Sequence, residues 1–403
     1  MEMALSGVKV FDFSWVIAGP MTTKILADYG ATVIRVETSY TYDPQRVSAP
    51  YKDSQTGVNR SGYFGFFNSN KYGITLNLKH PRGLEVAKRL IKWADVVAES
   101  FAPGKMEALG LGYEDIKKVK PDIIMFRDSN LGQTGIYATQ PGYGTLLMGY
   151  TGFTNLTGWP DRTPAQPYGA YTDVLAPVLG AAAIIAALNY RDKTGKGQCI
   201  DISQHEVGVQ ALAPVILDYS VNKRNQIRKG NASDYAAPHA AYRCRGDDRH
   251  CVIAVLTDEQ WEAFCGVIGN PAWTKEPRFA TLLGRKENED EMNRLVEEWT
   301  INFTPGEVME RMQKAGVPSG IVQSSPDLLE DPQLKSRNAL WMMNHQELGE
   351  FPCLGQPFKL SKTPSGLRMP ANLFGEHNEY VYREILGMPQ DEFDELLVTG
   401  CFE

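Results

Sequence analysis

Histidine and cysteine carry most nucleophilic and metal-assisted chemistry, and their spacing here supports neither. His80, His205, His239, His250, His345 and His377 form no pair at metal-ligand spacing. Cys199, Cys244, Cys251, Cys265, Cys353 and Cys401 form no CxxC pair, so neither a zinc knuckle nor a disulfide framework is indicated. No metal site is expected. No G-x-S-x-G elbow or P-loop appears, which leaves a serine or cysteine nucleophile with a histidine base unsupported. A carboxylate remains. Asp173 stands in Tyr171-Thr172-Asp173-Val174-Leu175-Ala176-Pro177, at the head of an apolar stretch that runs to Leu188. A carboxylate is ionised at neutral pH and can act as a nucleophile without a base. Such chemistry needs an acyl donor, oxyanion donors and exclusion of water. At the first turn of a helix, beside unpaired N–H groups and the positive end of the dipole, Asp173 is expected to stay ionised. Asp173 is equally read as an N-cap aspartate with Thr172 beside it.

The elements that must position this residue follow from periodicity. From Asp173 to Leu188 the chain is apolar nearly all round, which predicts a buried helix. Pro177 falls close to its start, and Gly180 with the alanines after it allows another backbone to pack closely. Residues 8–13 and 31–37 are strands around a helix that ends near Gly30, a βαβ unit closed by Glu37. The G-x-G-x-x-G fingerprint is missing, so a Rossmann-like unit is expected without NAD binding. Residues 41–70 have the polarity of a long surface excursion. Strands at 73–78, 96–100 and 122–126 alternate with helices from Pro81 to Trp93 and around Met106 and Leu109, which predicts an open parallel α/β sheet. A strand at 198–203, one helix at 204–221 and a polar linker at 223–234 follow. A hairpin around Gly246-Asp247-Asp248, a charged helix at 287–299 and the capping box Thr304-Pro305-Gly306-Glu307 mark a change to α+β. The expected division is a large Rossmann-like domain at 1–224, a small α+β domain at 225–325, and a segment at 326–403 that returns to the first.

At 403 residues the chain can hold two or three domains, and 43% apolar with 22% charged residues is an ordinary globular composition. A net charge of −7 without a basic stripe argues against nucleic acid as a partner. The first residues show no basic-then-apolar signal, and the run from Val174 to Leu188 contains Pro177 and is shorter than a membrane span. Scattered free thiols suit a reducing compartment. A cytoplasmic protein without a membrane partner is expected.

A series of short motifs stands in one order along the chain. They are Leu5-Ser6-Gly7-Val8-Lys9-Val10, Ala18-Gly19-Pro20, Leu26-Ala27-Asp28-Tyr29-Gly30-Ala31 with Ile34-Arg35-Val36-Glu37, and Asn68-Ser69-Asn70-Lys71. Pro103-Gly104, Leu109-Gly110-Leu111-Gly112-Tyr113, Gly132-Gln133-Thr134-Gly135, the Asp173 helix and Thr194-Gly195-Lys196-Gly197-Gln198 continue the series. Asp331-Pro332-Gln333-Leu334 and Gly375-Glu376-His377 end it. With these motifs the chain resembles the class III CoA-transferases, the carnitine/bile-acid CoA-transferase family, over nearly its whole length.

The resemblance implies that Asp173 attacks a donor acyl-CoA to give a mixed anhydride, then an aspartyl-CoA thioester that an acceptor carboxylate resolves. It implies no tightly bound cofactor, with coenzyme A and acyl-CoA as substrates, and an interlocked dimer, either homomeric or with a related subunit. Matching positions for CoA are Val16, Ala18, Leu76, Lys79 and Phe101, in the large domain. Thr38, Ser100 and Ala108 replace a basic residue, an asparagine and an arginine of some members, so phosphate contacts are expected to shift to residues such as Arg35, Lys71 or Lys105. The glycine-rich loop that guards the site in formyl-CoA transferase is absent near Val255-Leu256-Thr257-Asp258. Ile17 and Tyr143 are expected substrate residues. Together with Trp15, Phe153 and Trp159 they suit an aromatic acceptor, or else belong to the core. Succinyl-CoA is the expected donor and a dicarboxylate the expected acceptor, with a benzylsuccinate-type acid as the specific expectation and carnitine, aryl-lactate and small branched dicarboxylates as open alternatives. Racemases of the family carry a histidine where Tyr143 stands, which favours transfer over an alpha-methylacyl-CoA racemase-like activity. A non-catalytic CoA-binding subunit is the other alternative, and Asp173 argues against it.

Overall fold

The computed structural model describes residues 2–403. By contacts the chain forms two compact units, a larger one of Met1–Asn155, Gln166–Gln226 and Gln333–Glu403 and a smaller one of Leu156–Ala165 and Ile227–Pro332. Leu156–Ala165 is tied to the smaller unit by the Gly230 N–H, which donates to Gly158 O at 2.8 Å, and by Arg228 Nε, which donates to the Arg162 carbonyl at 2.8 Å.

From the N-terminus the larger unit forms β1 (Lys9–Asp12), α1 (Ala18–Asp28), β2 (Thr32–Glu37), α2 (Gly62–Phe67), β3 (Lys71–Thr75), α3 (Gly83–Trp93) and β4 (Val96–Glu99). Then come α4 (Lys105–Ala108), α5 (Tyr113–Val119), β5 (Ile124–Ser129), α6 (Gly144–Tyr150), α7 (Phe153–Leu156), α8 (Thr172–Thr194), β6 (Cys199–Ser203), α9 (Gln204–Ala211) and α10 (Ala213–Asn222). The six strands make one parallel sheet in the order β3-β2-β1-β4-β5-β6, with Phe11 opposite Ile34 and Val97. Strands covered on both faces need apolar residues on both, and β1, β2, β4 and β5 are buried nearly throughout. One face packs on α1 and α8, the other on α3 and on the C-terminal helix Gln390–Val398.

Three expectations change. The helix expected at 204–221 is two, because Pro214 in the first turn of α10 cannot donate to the preceding helix. α8 is not buried all round. A helix lying on a sheet buries one side, and here Gly180 lets it come so close that a β-carbon there would sit 2.7 Å from the Phe126 ring. The other side leaves Val174, Val178, Leu179 and Ile185 about half exposed, and with Phe66, Phe67 and Phe358 several of these residues line an apolar cavity of about 610 Å³. At 23 residues α8 also exceeds the length read from the sequence and is, by length and composition, long enough to cross a membrane.

The third change is residues 41–70, where 52–56 lie exposed as expected but both ends of the segment turn inward. Asp43, Gln45, Arg46, Asn68 and Asn70 are buried. Arg46 holds Glu37 through two bonds of 2.6 and 2.7 Å, and Arg35 pairs with Asp43. Lys71 reaches Asp12 at 3.3 Å and donates to the Pro20 carbonyl at 2.8 Å. Each buried charge has an opposite charge and further hydrogen bonds, the condition under which burial is tolerated. Glu37 is therefore a structural ion-pair partner. The chain's last part is sewn to the same edge: Asn70 Nδ2 donates to Gly366 O at 2.9 Å and Tyr382 Oη to Thr75 O at 2.7 Å.

The smaller unit carries an antiparallel sheet of β7 (His239–Arg243), β8 (His250–Ala254) and β9 (Ser319–Ile321) in that order. Its core includes Tyr242, Phe264, Phe279, Met292 and Met312. The capping box forms, with Glu307 accepting from the Thr304 N–H at 2.7 Å. Thr257, near the missing glycine-rich loop, caps the helix Asp258–Val267.

Candidate active site

In the larger unit the strand order reverses between β1 and β4, and the crevice above such a reversal is where open α/β sheets bind ligands. The loops leaving these two strands are stitched together by Ser100, whose Oγ accepts from the Trp15 N–H at 2.8 Å and donates to the Trp15 carbonyl at 3.2 Å. Val16 adopts φ 65°, a left-handed conformation costly for a β-branched residue. Its N–H is held by the Asp43 carboxylate at 3.2 Å, so the buried ion pairs of the 41–70 segment fix this turn. Above the crevice lies a cavity of about 540 Å³.

Asp173 stands in the wall of that cavity, 9% exposed. Its backbone surroundings differ from expectation. Tyr171 is already helical, so the N–H groups of Asp173, Val174 and Leu175 donate to the carbonyls of Ala170 and Tyr171 at 2.9–3.1 Å. They are not free to bind an anion. Nor does Asp173 cap the helix, since the N-cap is Tyr171 and no side-chain cap bond forms. Pro177 is the sixth residue of α8, where its missing N–H deprives the Asp173 carbonyl of its helical partner. No hydrogen bond to the Asp173 carboxylate is present among the described residues. Burial without such bonds pushes its pKa up to about 6, opposite to the expected direction. At pH 7 it is still about nine-tenths ionised. Room for the carboxylate comes from Gly144, where a β-carbon would lie 2.5 Å from Asp173 Oδ2.

Of the residues singled out from the sequence, Val16, Ile17, Ala18, Phe101 and Tyr143 line the same cavity as Asp173. Leu76 and Lys79 line a neighbouring cavity of about 370 Å³ together with Lys105. Phe101 and Trp15 border both, their rings edge to face at 5.6 Å. Arg35 and Lys71 are not phosphate ligands in this arrangement, because both are fully buried in ion pairs. Phe153 and Trp159 do not border the Asp173 cavity. Phe153 stacks on Tyr171 at 5.7 Å and Trp159 lies against Gly230 in the smaller unit. Asp128 and Gln204 were missed. The strand read as ending at Phe126 continues to Ser129, and Arg127-Asp128 at its carboxyl end was the available signal.

Fold and site define a doubly wound α/β protein whose crevice offers the Asp173 carboxylate, with no cysteine among the residues lining it and no metal-binding cluster among the described residues. The chain belongs to CoA-transferase family III, whose profile matches residues 5–378, and is a family III CoA-transferase. It is 31% identical over 388 residues to succinyl-CoA–D-citramalate CoA-transferase of Chloroflexus aurantiacus, covering 96% of this chain and 95% of that protein. To the succinyl-CoA–L-malate CoA-transferase beta subunit of the same organism it is 30% identical over 401 residues, covering 98% and 97%. A crystal structure of a CAIB/BAIF family protein from Brucella suis superimposes with a TM-score of 0.88 at 30% identity, covering 96% of this chain and 100% of that one.

Proposed function

We propose that Asp173 is the nucleophile that carries CoA from a donor acyl-CoA to an acceptor carboxylic acid. The observation that carries this reading is a buried carboxylate, free of hydrogen bonds among the described residues, that opens onto a cavity over the switch point. A carboxylate oxygen adds to the thioester carbonyl and CoA leaves as its thiolate, giving a mixed anhydride. The thiolate then attacks the aspartyl carbonyl, releasing the donor acid and leaving an aspartyl-CoA thioester. The acceptor carboxylate attacks that thioester, and the expelled thiolate takes the acceptor acyl group and restores Asp173. Gly144 and Thr145 line the cavity with Asp173, and their amides, the first two of α6, have no acceptor within their own helix and are the candidates to receive developing negative charge.

In this reading the CoA thiol end enters past Val16, Ala18 and Phe101, and the nucleotide end lies by Leu76 and Lys79, with Lys105 replacing the missing phosphate contacts. Ile17 and Tyr143 border the acyl group. Succinyl-CoA is the donor and a dicarboxylate the acceptor, in keeping with the D-citramalate and L-malate named for the two Chloroflexus aurantiacus enzymes. Trp15, Ile17 and Tyr143 support an aromatic dicarboxylate such as benzylsuccinate. The half-exposed apolar stripe of α8 supports an interlocked dimer, and the beta-subunit relative keeps a heteromer in view. The protein works in the cytoplasm. Incubation with succinyl-CoA and a panel of citramalate, malate, glutarate and benzylsuccinate tests the assignment. New acyl-CoA is expected with at least one acid and none with Asp173→Ala. Turnover in the variant refutes the nucleophile, and absence of transfer to all four dicarboxylates by a wild type that transfers CoA to acetate or another monocarboxylate refutes the acceptor class.

A further inference from the structure

Asp128, near the carboxyl end of β5, is 1% exposed and lines the same cavity as Asp173. Gln204, the first residue of α9, donates from Nε2 to Asp128 Oδ1 at 3.1 Å. The remaining oxygens of the two groups, Asp128 Oδ2 and Gln204 Oε1, have no partner among the described residues. A buried carboxylate oxygen left without a donor is costly, and a proton on Asp128 Oδ2 removes the charge that makes it so. No lysine, arginine or histidine lines this cavity among the described residues. Arg127, the next residue along β5, is committed to Glu99 and Glu107 at 2.7 Å each. A second negative charge beside Asp173 would have no counter-ion.

Building on the nucleophile reading of Asp173, we propose that Asp128 holds a proton in the working enzyme. Paired with Gln204, it forms an uncharged wall that lets anionic substrates approach the nucleophile. The groups around it fit this role. Burial raises its pKa most, the Gln204 bond lowers it, and the charges of Asp173 on α8 and Glu99 on β4 raise it again, to about 8. His205 follows Gln204 on α9, with Nδ1 unpartnered. Asp173 ionises first, near pH 6, so its own shift reflects burial alone, and Asp128 then feels the resulting charge. Near pH 7 the pair carries one charge, available for attack. Above about pH 8 it carries two, which repel a succinyl-CoA carboxylate and the tetrahedral oxyanion.

The test is kcat/KM for succinyl-CoA between about pH 5 and pH 9.5, in the full-length enzyme and in Asp128→Asn, which mimics the neutral carboxyl. The wild type is expected to show limbs near pH 6 and pH 8, losing about tenfold by pH 9. Asp128→Asn is expected to keep the acid limb and stay flat from pH 7 to pH 9. An alkaline limb that persists in Asp128→Asn overturns the proposal. If that variant does not fold, infrared spectroscopy of the wild type decides. A protonated-carboxyl C=O band that disappears with a midpoint near pH 8 supports the proposal, and its absence overturns it. Absence of CoA transfer in the wild type at every pH is a different failure. It refutes the nucleophile reading and leaves the infrared titration to decide the proton.

Discussion

Gly144→Ala places one methyl group against the nucleophile. Built on the existing backbone, the new β-carbon would lie 2.5 Å from Asp173 Oδ2, 2.7 Å from its Cγ and 2.5 Å from Ala170 Cβ. Ordinary carbon contacts are about 3.5–4.0 Å, so the carboxylate or α6 must give way by about 1 Å. A misplacement of about 1 Å in a reacting group costs about 100-fold in rate, or about 2.7 kcal/mol of barrier. The same overpacking costs about 1–3 kcal/mol of stability. Steady-state CoA transfer from succinyl-CoA, measured beside thermal unfolding, separates the two effects. Gly149→Ala supplies the control, since in the same helix its β-carbon would meet nothing within 4 Å. The expected result is a fall in kcat of about 100-fold for Gly144→Ala in a protein that remains folded, with Gly149→Ala near wild type. Full activity in a folded Gly144→Ala protein refutes the placement of the carboxylate.

Three further outcomes follow from the same geometry. Because Asp173 must be ionised to attack and its pKa is raised to about 6, kcat/KM for the donor is expected to fall with pH below 6, about tenfold per unit, as a pH–rate profile will read. Lys79→Ala with Lys105→Ala is expected to raise KM for acyl-CoA at least tenfold and to weaken its salt dependence while kcat changes little; equal loss in kcat counts against a nucleotide-binding role. Arg46→Met leaves Glu37 buried without its bidentate partner and is expected to cost about 3–5 kcal/mol in denaturant unfolding, whereas a loss under 1 kcal/mol contradicts the reading of residues 41–70 as an internal ion-pair network.

The sheet was legible because β1, β2, β4 and β5 each hold a short apolar run between turn signals, as parallel strands covered on both faces usually do, with the buried charges confined mostly to their carboxyl ends. Asp173 stood out because a lone acid interrupts the head of a long apolar helix. The buried ends of residues 41–70 were misread because Arg46 and Asp43 have the composition of solvent-facing residues, and their partners Glu37 and Arg35 lie on another element. Polarity alone does not distinguish a solvated charge from a paired one. The same limit concealed Asp128, whose partner Gln204 is 76 residues away. The surroundings of Asp173 were misjudged for a local reason: Tyr171 starts the helix early, so the amides expected to hold the carboxylate ionised are spent on Ala170 and Tyr171. Burial then dominates.

The most direct test of the account is the mass of the intact protein and of its peptides after incubation with succinyl-CoA and brief hydroxylamine trapping, for the wild type and Asp173→Ala. The account predicts a hydroxamate that maps to Asp173 and is missing from the variant. A trapped adduct on any other residue, or one that persists in Asp173→Ala, would contradict it.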